Sequence, residues 1–163
     1  MKKIRTIILI VATASALLFL IGGWKLYTSN ISGQNRSAED AVKRAHQSYT
    51  FNHVKSVVPY NGTEAYQVIQ AERNGQDIYI WVPDHPKRAP FILRAAHAGI
   101  TKKEALQKLS DKRLDVKKII SIRLGAINGN PVWEITFLNS GNNYNYVSFY
   151  FNDGKEAQRI LDV

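Results

Sequence analysis

The feature that most constrains this chain is an apolar run without a charge, Ile7 to Trp24, preceded by Lys2, Lys3 and Arg5. As a helix rising 1.5 Å per residue it covers about 27 Å. Lys25, whose ammonium can snorkel to headgroups, with Leu26 and Tyr27 extends it to about the 30 Å of a bilayer core. A secretory signal peptide also starts with basic residues and an apolar stretch. Here, however, the small-residue patterns that a signal peptidase needs, Ala12-Thr13-Ala14 and Ala14-Ser15-Ala16, lie inside the run instead of after it. Trp24 and Tyr27 suit the aromatic belt of a membrane interface, and the absence of cysteine rules out a lipidated signal. The expectation is an uncleaved, single-pass anchor over residues 7–27, with a cleaved signal peptide as the competing reading. The basic head over residues 1–6 favours a cytoplasmic N-terminus and an extracytoplasmic C-terminal part.

Beyond the anchor and a short polar linker over residues 28–36, about 130 residues remain, enough for one ordinary domain or two very small ones. Setting aside Lys2, Lys3, Arg5 and Lys25 leaves 18 basic residues against 13 acidic ones, so the outer part carries a net charge of +5. Outside a cell, that charge points to anionic headgroups or acidic wall polymers before nucleic acid, or simply to a solvated surface. With no cysteine there is neither a disulfide framework nor a thiolate metal site, and stability must come from packing.

Ser37-Ala38-Glu39-Asp40 reads as a helix N-cap, followed by Ala41, Val42, Ala45 and Tyr49 on one helical face. Extended pieces follow at His53 to Val58, Ala65 to Ala71 and Asp77 to Val82, with turn signals at Asn61-Gly62 and Asn74-Gly75. Phe91-Ile92-Leu93 can add a short strand. The order then repeats. Thr101-Lys102-Lys103-Glu104 is a capping box before Ala105, Leu106 and Leu109, and strands are expected at Lys117 to Leu124, Pro131 to Leu138 and Tyr144 to Phe151. Asn128-Gly129 and Ser140-Gly141-Asn142 mark turns, Asp153-Gly154-Lys155 closes the last hairpin, and Arg159-Ile160-Leu161 echoes Phe91-Ile92-Leu93. The repeated order predicts an α+β fold of two duplicated units, residues 37–96 and 97–163, each with one helix on an antiparallel sheet of three to four strands. Units this small should pack on each other to share a core.

The second unit, from Ile100-Thr101-Lys102-Lys103-Glu104-Ala105 through Trp133-Glu134-Ile135 to Asp153-Gly154-Lys155, resembles a PepSY repeat, with a shortened turn after Asp153. The first unit is similar through Ala38-Glu39-Asp40-Ala41, Tyr66-Gln67-Val68 and Tyr79-Ile80-Trp81-Val82-Pro83. Head, anchor and two such units together resemble the TseB-like family of cell-wall elongation regulators. That resemblance implies a cystatin-like fold in each unit and a non-enzymatic role outside the membrane, in association with a penicillin-binding protein that builds lateral wall. It transfers no catalytic residue.

The residues themselves point the same way on chemistry. His46, His53, His85 and His97 form no metal-ligand spacing, no nucleophile motif such as Gly-x-Ser-x-Gly or Ser-x-x-Lys occurs, and Asn61-Gly62 is a hairpin signal before it is a phosphate loop. We therefore expect no enzyme, no cofactor, no metal and no nucleic-acid partner. Binding features are more informative. Alternation puts Ile78, Ile80 and Val82 on one strand face and Tyr79 and Trp81 on the other; further along, Val147, Phe149 and Phe151 alternate with Tyr146 and Tyr150. One set in each strand should face its helix. The second set, Tyr79, Trp81, Tyr146 and Tyr150, is either buried between the units or forms part of a partner-binding face. Lys102, Lys103, Arg113, Lys117 and Lys118 form either a solvated surface or a contact with an anionic surface. The function expected is a tethered protein-binding module acting in wall elongation. An inhibitor or chaperone of a secreted peptidase, or a sensor of an anionic wall ligand, would use the same parts.

Overall fold

The computed structural model describes residue 33 and residues 35–163 of the chain. The expected head and anchor over residues 1–27 lie outside the described residues. No helix among the described residues is long and apolar enough to cross a membrane.

Residues 35–48 form helix α1. Strands β1 (Asn52–Asn61), β2 (Ala65–Arg73), β3 (Gln76–Pro83) and β4 (Ile92–Ala95) follow, then a single 3-10 turn (Ala96–Ala98), helix α2 (Lys102–Asp111), and strands β5 (Lys118–Ile127), β6 (Asn130–Leu138), β7 (Tyr144–Tyr150) and β8 (Glu156–Ile160). The strands make two antiparallel four-stranded sheets, ordered β1-β2-β3-β4 and β5-β6-β7-β8. The architecture is therefore α+β, with two sheets and few helices.

Local chemistry explains the boundaries. Asn74 and Gly75 both take positive φ, 52° and 75°, and so do Asn128 and Gly129, at 50° and 73°. Each pair is the two-residue turn whose twist suits a tight hairpin, β2–β3 in one case and β5–β6 in the other. The capping box of α2 is complete. Thr101 accepts from the Glu104 backbone N–H at 3.2 Å, and its own N–H donates to Glu104 Oε2 at 2.7 Å. At α1 the expectation needs correcting: Ser37 is not a cap. Residues 35 and 36 are already helical, and an N-cap needs an extended backbone that a serine inside a helix does not have.

Residues 40–163 form one compact unit with two apolar clusters. In the smaller cluster Ala41 and Ala45 of α1 lie against Ile69 and Ala71 of β2 and Ile78, Ile80 and Val82 of β3. The larger cluster takes the opposite face of the first sheet, through Tyr66, Val68 and Trp81, and joins it to Leu124, Trp133, Ile135 and Phe149 of the second sheet and to Ala105 and Leu109 of α2. The period of two along β3 thus feeds two different cores.

Candidate functional site

Cross-strand register lines up the inner face of the first sheet in rows. Ser56 pairs with Gln70 and Gln70 with Tyr79; one pleat further on, Val58 pairs with Val68 and Val68 with Trp81. Ile122, Arg123 and Leu124 of β5, Trp133 of β6 and Lys102 at the start of α2 complete the lining of a groove of about 230 Å³ beside these rows. Val68, Leu124 and Trp133 are buried at its floor, whereas Val58 on the rim is 40% exposed. The groove is thus apolar at its base, with a row of polar groups from Ser56 to Tyr79 along one wall and two cations, Lys102 and Arg123, on the other side.

The second aromatic set is divided. Trp81 is 0% exposed, its indole N–H donates to the Gly125 carbonyl at 2.8 Å, and its ring meets Tyr79 and Phe151 edge-on with centroids 6.0 Å apart. No part of Trp81 is left for a partner, because the second sheet covers its face of the first. Tyr79 is only partly covered and lines the groove. Burial, with the Asp77 carboxylate adding to it, pushes the Tyr79 hydroxyl above the ordinary phenol range, so it stays a donor. Asp77 is itself ion-paired with Lys55.

Tyr146 belongs to a different depression, of about 240 Å³, lined also by Tyr60, Glu134, Ser148 and Ile160. Tyr150 is half-buried on the same strand face as Tyr146 and lines neither hollow. Glu134 joins the two places: the Tyr60 hydroxyl donates to its Oε2 at 3.1 Å, while Arg123 Nη2 lies 3.5 Å from its Oε1. Burial first, then the Glu134 charge, raises the Tyr60 hydroxyl well above its ordinary range.

The basic residues are likewise dispersed. Lys102 is in the groove and Lys103 is exposed beside it on α2. Arg113 sits after α2 at φ 52°, and Lys117 donates to Asn142 Oδ1 at 2.7 Å. Lys118, exposed, begins β5. Two of the expected residues, Tyr79 and Lys102, therefore meet at one site, joined by Arg123 and Trp133, which were not singled out for binding. Arg123 leaves a trace in the sequence as the one charge inside the apolar stretch Ile119 to Leu124. Of the histidines, His46 stacks on Phe51 with centroids 3.9 Å apart, a packing role. Among the described residues no group of three His, Asp or Glu could hold a metal ion.

Three comparisons bear on what this arrangement is for. Residues 40–83, from α1 to the end of β3, match the model of the cell wall elongation regulator TseB-like domain. The chain is 26% identical over 161 residues to the probable cell wall elongation regulator TseB of Bacillus subtilis (strain 168), covering 98% of this chain and 99% of that protein. Its fold is similar to the solved structure of the YpmB protein from Bacillus subtilis, with a TM-score of 0.69 and 28% identity over 75% of this chain and 94% of the other. By a domain model over residues 40–83, by a relative along nearly its whole length and by fold, the chain is similar to the TseB-like regulators of cell wall elongation.

Proposed function

We propose that this protein is a membrane-anchored, extracytoplasmic binding module that regulates cell-wall elongation by associating with a membrane-borne penicillin-binding protein. One observation carries the reading: the similarity to a probable cell wall elongation regulator spans 98% of the chain, so it includes the apolar run as well as the folded part. The run Ile7 to Trp24 holds the folded part at the membrane surface, with the N-terminus cytoplasmic. A tethered module meets a membrane-borne partner at a raised effective concentration, so modest surface complementarity suffices. Residues 37–96 and 97–163 act as two PepSY-like units, an assignment supported by the parallel order of α1 with β1–β4 and α2 with β5–β8. The role is that of a regulator without catalysis, in keeping with the name of the family.

Crosslinking in intact cells, followed by identification of the captured protein, tests the proposal. A wall transpeptidase is the expected capture; a secreted peptidase in its place would overturn the assignment in favour of an inhibitor or chaperone. Protease added to intact cells should remove the C-terminal part, and a protected C-terminus would reverse the topology.

A further inference from the structure

We infer that the groove between β1–β3 and β5 is the seat for an acidic, extended segment of a partner protein, with an apolar side chain against Val68, Leu124 and Trp133 and a carboxylate between Lys102 and Arg123. The inference rests on the protein-binding reading above and names the surface and the chemistry of what it receives.

Charge is the first argument. Lys102 and Arg123 line the groove, and no Asp or Glu among the described residues lines it with them. Arg123 also has donor capacity that the fold leaves unused. Its side chain is 40% exposed and its contact with Glu134 is long at 3.5 Å, whereas its Nε–H, without an acceptor among the described residues, is buried and closed to a ligand. The Nη end of the planar guanidinium is the part that an incoming carboxylate can reach, through charge-assisted N–H donors.

Size and polarity are the second argument. About 230 Å³ lies below the usual range for a small-molecule cavity and suits one or two side chains. The floor is apolar, and the wall row Ser56, Gln70 and Tyr79 offers hydrogen-bonding groups to a peptide backbone. A sugar-phosphate polymer has no apolar side chain for that floor, and an anionic bilayer is too broad to enter the groove. A peptide that alternates acidic and apolar residues supplies both chemistries.

The test uses the full chain in phosphatidylcholine nanodiscs and two labelled octapeptides, one alternating Glu with Leu and Phe, the other with Lys in place of each Glu, read by fluorescence anisotropy. The acidic peptide should bind and the basic one should not, and Lys102→Glu and Arg123→Gln should each weaken binding about tenfold, the size of one charge-assisted hydrogen bond. Lys102→Glu puts an acid in the first turn of α2, where the helix dipole favours it, so its melting curve should match that of the parent protein. Equal binding of both peptides, no binding of either, or indifference to both substitutions would overturn the assignment. So would displacement of the acidic peptide by phosphatidylglycerol vesicles, which would make the groove a headgroup site. The partner reading is judged separately: capture of a transpeptidase by Lys102→Glu at the parental level, with no peptide binding, would leave that reading standing and remove the groove. Peptide binding without capture would do the reverse.

Discussion

At Trp81 one side chain joins the two sheets, with its ring in the larger core and its N–H on the backbone of β5. Replacing it by alanine empties a large buried volume and leaves the Gly125 carbonyl without its donor, a loss of about 3–5 kcal/mol that urea denaturation followed by circular dichroism should register. A folded Trp81→Ala protein of unchanged midpoint would contradict its place in the core. Gly125 matters for a different reason. A Cβ there would run into the ring of Tyr60, itself buried and held to Glu134. Gly125→Ala should therefore destabilise by about 1–3 kcal/mol, as overpacking does, and the same titration checks it. Alternation along β3 already separated Tyr79 and Trp81 from Ile78, Ile80 and Val82. Whether the separated pair was core or surface depended on what lay opposite, and β5 begins nearly forty residues later in the chain.

Helix α2 is the element most fully specified by local chemistry. Its capping box satisfies donors at the N-terminus, and Lys112 at its C-cap pairs with Glu156 of β8 at 2.7 Å. Thr101→Ala should cost about 1 kcal/mol and speed amide exchange in the first turn of α2, as measured by NMR. Glu156 also pairs with Arg159 at 2.7 Å, and these two bonds hold its carboxyl at about 2, below its ordinary 4.5. A carboxyl lowered on folding stabilises fully above its unfolded value, and its contribution disappears as the pH falls through the folded one. Glu156→Gln should therefore lower stability by about 1 kcal/mol at pH 7, with the difference shrinking between pH 4.5 and 2 in parallel melting curves. The hairpins β2–β3 and β5–β6 were equally legible, because Asn-Gly dictates its own backbone sign. The start of α1 was not: a serine three residues before an acid reads as a cap whether or not the helix has already begun upstream.

For the molecule as a whole, the larger core draws on both sheets, so residues 40–163 should unfold in one transition. A chain ending at residue 96 should fail to fold cooperatively, since Tyr66, Val68 and Trp81 would lose their cover; a sharp thermal transition from that fragment would contradict the shared core. Periodicity, turn dipeptides and the capping box were enough to establish α+β elements in the right order, since each depends on residues close in sequence. The groove was beyond their reach. Tyr79 and Lys102 were each visible as single features, but their meeting with Arg123 and Trp133 is made by the packing of two sheets, with contacts separated by dozens of residues. By itself the sequence determined the elements, their repeated order and an apolar run long enough to span a bilayer. Only the tertiary structure decided which aromatic residues are core and where cation and apolar surface coincide, because burial is a property of the face opposite and no local pattern encodes that face.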